Sequence, residues 1–193
     1  MPLFDHVFGL SAVILGLGLA EMALRLQQVV FAGQRVKWAI EPLMFAAIVF
    51  FVIVLLWLSA WQDHAVKSFT MGTVALHTLA VILPVMAAAA AFPKVPDKGE
   101  VDLYAYYDGS RRFLFGTLGL GLFIDWILRL VGQSESVHGV DGWLKTIILT
   151  FPYNGLVPYT LMMFVRWRWL NILTLAFVLV GIITYISGLT LTD

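Results

Sequence analysis

Phe45-Ala-Ala-Ile-Val-Phe-Phe-Val-Ile-Val-Leu-Leu56 holds no polar side chain and lies inside a longer apolar run from Trp38 to Trp61. A helix rises about 1.5 Å per residue, so a run of this length spans the ~30 Å hydrocarbon core of a bilayer. Runs of the same kind extend from about Phe4 to Phe31, Phe69 to Phe92, Arg112 to Val131, Trp143 to Val165 and Trp169 to Leu189. They are continuous and lack the alternation of membrane β-strands, so they read as helices. Trp38, Trp61, Trp143, Trp167 and Trp169 stand at run edges, where an amphipathic ring favours the headgroup layer. The expected fold is an all-α membrane protein of six transmembrane helices, one domain over residues 1–193.

The composition agrees. Of 193 residues, 61% are hydrophobic and 12% charged, the mean hydropathy is +0.90, and the net charge is zero. A soluble domain carries about 25% charged residues. That excludes an ordinary soluble enzyme, a disordered tail and a nucleic-acid binder, since too little basic surface remains for a phosphate backbone. There is no Cys, hence no disulfide, zinc knuckle or thiolate redox site. No nucleophile elbow, zinc-protease His pair or phosphate-cradling loop occurs, so neither an enzyme nor a cofactor is expected.

Basic residues fix an orientation. Arg35 and Lys37 fall in the first loop, Lys94, Lys98, Arg111 and Arg112 in the third, Arg166 and Arg168 in the fifth; these are eight of the twelve. The second loop has only Lys67 and the fourth has none. Odd-numbered loops are therefore expected in the cytoplasm and both termini outside. Met1 to Phe8 has no Lys or Arg and carries Asp5, unlike the basic start of a signal peptide. The third loop opens on Pro93-Lys-Val-Pro96, expected to be extended, and continues Glu100-Val-Asp-Leu-Tyr-Ala-Tyr-Tyr107. Leu103, Tyr104 and Tyr107 would share one face of a short helix lying in the headgroup layer.

Phe92-Pro93, Asp102-Leu103 with Tyr104, Tyr106 and Tyr107, and then Arg111-Arg112-Phe113 resemble a group of small uncharacterised bacterial polytopic membrane proteins. The likeness covers about twenty residues of one loop. It implies a bacterial inner membrane and carries over no activity or site residue.

An internal echo follows. Leu15-Gly-Leu-Gly-Leu19 precedes Glu21-Met-Ala-Leu-Arg-Leu26, and Leu118-Gly-Leu-Gly-Leu122 precedes Asp125-Trp-Ile-Leu-Arg-Leu130. With three helices per half, the second copy would enter the membrane in the opposite sense, an inverted three-plus-three repeat with halves 1–97 and 98–193. Against this, Leu and Gly are common in membrane helices, and the third and sixth helices do not match.

Ionisable groups at membrane depth cost about 2.5–3.5 kcal/mol on insertion scales and need partners. Glu21 lies roughly 15 Å deep at 1.5 Å per residue. Arg25 stands one turn away on the same face, and Asp125 and Arg129 repeat the spacing. Two readings stand: internal pairs that lock the bundle, or carboxylates at mirrored depths marking a cation or proton path. Glu41 beside Pro42 suits a helix N-terminus, with Arg25 as a partner across the hairpin.

The fifth run contains Thr150-Phe-Pro-Tyr-Asn-Gly-Leu-Val-Pro-Tyr159, whose two Pro, Gly and Asn154 break a helix. Such a break either packs as a kink or lines a watery ion or substrate site. His77, near Thr73 and Thr78, is a structural hydrogen-bonder or a proton acceptor. His6, His64 and His138 read as solvated loop residues with no metal-ligand spacing. Ala12, Gly16 and Ala20 form a small-residue stripe suited to close helix packing.

The leading expectation is a small channel or transporter for a cation, proton or small solute, with Glu21, Arg25, His77, Asp125, Arg129 and Asn154 as ion- or substrate-binding residues. The alternative is an accessory or assembly subunit of a larger membrane complex with no activity of its own. A signal-sensing module is a third, weaker reading. Expected partners are lipid and a second copy or membrane-complex subunit.

Overall fold

The computed structural model describes residues 3–62, 70–132 and 156–188. Six α-helices fall in these residues: α1 (Leu3–Ala32), α2 (Ile40–Gln62), α3 (Met71–Ala89), α4 (Leu103–Gly132), α5 (Leu156–Phe164) and α6 (Arg168–Ser187). All but α5 are long and apolar enough to cross a membrane. The chain is a helical membrane protein. The described part of the fifth expected span is confined to α5.

Local chemistry sets the helix ends. Gly33, at φ +55°, takes the left-handed turn that ends α1. Thr70 caps α3 by accepting from the Thr73 amide at 3.2 Å. Asp102 Oδ1 accepts from the Ala105 amide at 2.9 Å, so α4 begins at Leu103, nine residues before the apolar run. The tyrosine segment is therefore the first two turns of α4 rather than a separate helix in the headgroup layer, and Leu103 and Tyr107 are fully buried.

α3 lies between α1 and α4. Two glycines permit the approach. A Cβ on Gly18 would stand 2.8 Å from Val85 Cγ2, and one on Gly121 would stand 2.6 Å from Pro84 Cδ and 3.1 Å from the Ala80 carbonyl. Pro84 sits inside α3 and lacks the N–H that would bond that carbonyl, and the bare face of α4 closes over it. Gly18 and Gly121 are the second glycines of the two Leu-Gly-Leu-Gly-Leu blocks, and they grip adjacent residues of one helix. Ala87, Ala88 and Ala91 bury at the end of the same helix. The stripe Ala12, Gly16 and Ala20 does less: Gly16 and Ala20 are exposed, and nothing stands within 4 Å of a Cβ on Gly16.

One end of the bundle is stitched together. Val36–Lys37 (β1) pairs in parallel with Val101–Asp102 (β2). The Arg35 guanidinium donates to the carbonyls of Asp97 at 2.8 Å and Pro96 at 3.3 Å, and Lys37 pairs with Glu100 at 2.8 Å. Tyr106 donates to the Ala90 carbonyl at the end of α3 at 3.0 Å. Together with Arg111, Arg112, Arg166 and Arg168, which the Arg111 bond to the Val165 carbonyl draws to the same place, these segments hold eight of the twelve basic residues, and this is the basic end of the bundle.

Candidate functional site

The sequence singled out two carboxylate–arginine pairs, and both form. Arg25 Nε donates to Glu21 Oε1 at 2.7 Å, and Arg129 Nε to Asp125 Oδ2 at 2.8 Å. Each pair closes within one helix turn, and each reaches the bundle surface: the Glu21 side chain is 43% exposed and that of Arg129 41%. Among the described residues no contact brings the two pairs together. A groove between α1 and α2, lined by Leu15, Leu19, Ile53, Val54 and Trp57, is apolar and adjoins neither. His77 is partly buried on α3, with no hydrogen bond or ion pair among the described residues. Thr73 bonds instead to Thr70, and Thr78 to the Val74 carbonyl. Asn154 and the rest of the Thr150–Gly155 stretch lie outside the described residues, as do His64, His138 and the side chain of His6.

A different polar cluster lies at the basic end, where α2, α4 and α6 meet. Its centre is Glu41, in the first turn of α2, with no exposed surface. The helix N-terminus favours a negative charge there. Its partner is Arg168 from the first turn of α6, not Arg25: Arg168 Nε donates to Oε1 at 2.6 Å. The guanidinium also lies over the Tyr104 ring, 4.7 Å from its centroid. The Arg168 side chain is 56% exposed, so the pair is sealed on the acid side and open on the base side.

Tyr107, one turn beyond Tyr104, is fully buried and donates its hydroxyl to Asn171 Oδ1 at 2.9 Å. Asn171, one turn beyond Arg168, is fully buried as well. Arg111, one turn beyond Tyr107, is buried and donates to the Val165 carbonyl and to Asp108. It thereby satisfies the C-terminal end of α5, where a cation complements the helix dipole.

Three buried atoms of this corner have no hydrogen-bond partner among the described residues: Glu41 Oε2, Arg111 Nε and Asn171 Nδ2. One is an acceptor and two are donors. Each such atom costs about 1–3 kcal/mol if it stays unpaired.

An aromatic layer closes the bundle next to this corner. Phe45, one turn past Glu41, meets Phe115 edge-on at 5.1 Å and Tyr107 at 6.4 Å. Phe115, one turn past Arg111, stacks on Tyr159 of α5 at 6.3 Å. All four rings are buried.

Glu41 reads from the sequence as a helix cap, Tyr107 as one face of a headgroup-layer helix and Arg111 as a basic loop residue, and Asn171 carries no assigned role there. The missed signal is topological: the alternating loop assignment already places Glu41, the tyrosine segment and Arg168 at one end of the bundle. No protein-family model, curated protein or solved structure matches the chain.

Proposed function

We propose that this chain is a small integral membrane channel or transporter for a cation, proton or small solute, set in a bacterial inner membrane with its basic end in the cytoplasm. The observation that carries this reading is the trio of sealed polar atoms on Glu41, Arg111 and Asn171 that have no hydrogen-bond partner among the described residues. A buried polar group without a partner calls for an explanation, and a polar visitor that completes its hydrogen bonds is one. The corner offers such a visitor both a carboxylate oxygen and N–H donors.

In this reading the solute enters at Arg168, exchanges contacts with Glu41, and passes the layer of Phe45, Phe115 and Tyr159 when those rings part. Asn154, five residues before Tyr159 in the sequence, is a further solute-binding residue of this reading. Glu21, Arg25, Asp125 and Arg129 have lesser roles, because each charge is already neutralised within its own helix. His77 stands apart from the corner as a secondary proton acceptor.

The test is flux into liposomes containing the purified protein, with cation-, proton- and solute-sensitive reporters. Glu41→Gln and Asn154→Ala should each lower flux by about tenfold or more, the equivalent of ~1.4 kcal/mol. Glu21→Gln should change it by less than about twofold, a few tenths of a kcal/mol. Unchanged flux in Glu41→Gln removes the corner from the mechanism, and absence of any flux in the wild type removes the function.

A second reading, an accessory or assembly subunit, draws on the self-contained Glu21–Arg25 and Asp125–Arg129 pairs, which need no permeant ion to explain them. Purification from native membranes in mild detergent separates the two. A partner present at fixed stoichiometry supports the subunit, and flux by the chain alone supports the transporter.

A further inference from the structure

We propose that Glu41 is a proton-binding site that exchanges its partner Arg168 for a proton. The exchange deepens the transport reading and rests on it, since the proton taken up at Glu41 is there the transported or coupled ion. The geometry that points to it is the unequal burial of the pair: Glu41 has no exposed surface, whereas the Arg168 side chain is 56% exposed.

When the pair opens, the two partners meet different fates. The guanidinium is already half outside and keeps the Tyr104 ring as a resting place at 4.7 Å. The carboxylate cannot follow, because it is fixed in the first turn of α2 and enclosed by α4 and α6. A lone carboxylate in such surroundings is the costly state, and taking a proton relieves it. Among the described residues no donor reaches Oε2, so a proton lands there without displacing a bond. The balance is simple. A proton leaves a water molecule or hydronium ion at the basic end and adds to Oε2. The Nε–H···Oε1 bond breaks, the guanidinium keeps its charge, and the corner gains one positive charge with no electron transferred.

The groups around Glu41 leave this exchange open. On α6, Arg168 is the ion-pair partner and Asn171 is bonded to Tyr107. On α4, Tyr104 lies under Arg168, Tyr107 is bonded to Asn171, and Arg111 is engaged by Val165 and Asp108. Asp102 adds negative charge on the Arg168 side of the pair. On α1, Glu21 and Arg25 hold each other, and on α3 the one described titratable side chain, His77, lies in the half remote from the basic end.

Difference infrared spectroscopy of the full chain in liposomes, titrated across pH, reads the protonated carboxyl directly through its carbonyl stretch. The wild type should show a band that grows on acidification and is lost in Glu41→Gln. In Arg168→Gln the midpoint of that band should move about one pH unit or more towards alkaline pH, a tenfold gain in proton affinity. Arg168→Lys, which keeps the charge and not the Nε donor, should fall between and serves as the comparison if Arg168→Gln misfolds. A band that survives Glu41→Gln overturns the proposal, as does a midpoint that neither Arg168 variant moves. Such a failure with liposome flux intact removes the proton site alone. Absent flux with the band behaving as expected removes transport and leaves the proton site standing.

Discussion

Tyr107 and Asn171 hold each other in a place where neither has a substitute among the described residues. The hydroxyl donates to Oδ1, while Nδ2 of the same amide has no partner among the described residues. Tyr107→Phe therefore strands a whole buried amide, and Asn171→Leu strands a buried hydroxyl. Each should cost about 1–3 kcal/mol, while the double variant should cost little more than one of them, because both ends of the bond are then gone. Thermal unfolding in detergent gives the cycle, with an expected coupling of about 1 kcal/mol or more, and strict additivity of the two costs would contradict the bond. The site was legible in the sequence only in pieces. Residue spacing alone finds pairs one turn apart, and both Glu21–Arg25 and Asp125–Arg129 were found that way. Glu41–Arg168 and Tyr107–Asn171 join residues 127 and 64 positions apart, and no local period announces them.

At the scale of the element, hydropathy placed α1, α2, α3 and α6 to within a few residues, because twenty apolar residues in a row leave the chain little alternative. It placed the start of α4 nine residues late. The cap of α4 is a single Asp102 side chain, and its first two turns are tyrosine-rich and amphipathic rather than uniformly apolar. The twin Leu-Gly-Leu-Gly-Leu blocks suggested an inverted repeat; in the structure both second glycines seat α3, so close packing supplies a reason for the pattern by itself. Gly121→Ala drives a methyl against Pro84 and the Ala80 carbonyl, neither of which can rotate away, and should cost about 1–3 kcal/mol. Gly18→Ala meets only the Val85 side chain, both methyls and the Cβ, and should cost less, and Gly16→Ala should be neutral or slightly stabilising. Melting temperatures of the three variants test the order. The strand clip has its own signature in pH. The side-chain hydrogen bond and charge of Lys37 hold the Glu100 carboxyl below the usual carboxylate range, and Glu100 in turn raises the Lys37 ammonium. The pair thus supports the clip through neutral pH. Its contribution is lost as pH falls through the lowered Glu100 value, and again as pH rises through the raised Lys37 value. Both groups are exposed, so the effect is small and local. Amide exchange at residues 36–37 and 101–102 should quicken beyond its ordinary pH dependence on the acid side, and Glu100→Gln should abolish that branch.

Across the whole molecule, three separate contacts draw the basic loops to one end. Arg35 reaches Asp97 and Pro96, β1 pairs with β2, and Arg111 reaches Val165 beside Arg166 and Arg168. The charge rule needs this common end before it can assign a side, because basic loops scattered over both faces would orient nothing. The side itself is a prediction: the basic end lies in the cytoplasm, with the start of α3 outside. The sequence has no Cys, so any cysteine placed in it is the single reactive thiol. Lys98, Arg166 and Met71 are exposed, and none takes part in the described ion pairs. In intact cells Met71→Cys should react with a membrane-impermeant maleimide. Lys98→Cys and Arg166→Cys should stay unlabelled until the membrane is permeabilised. The opposite pattern would turn the molecule over and put Glu41 on the outer side, where the same exchange of Arg168 for a proton would load from outside the cell.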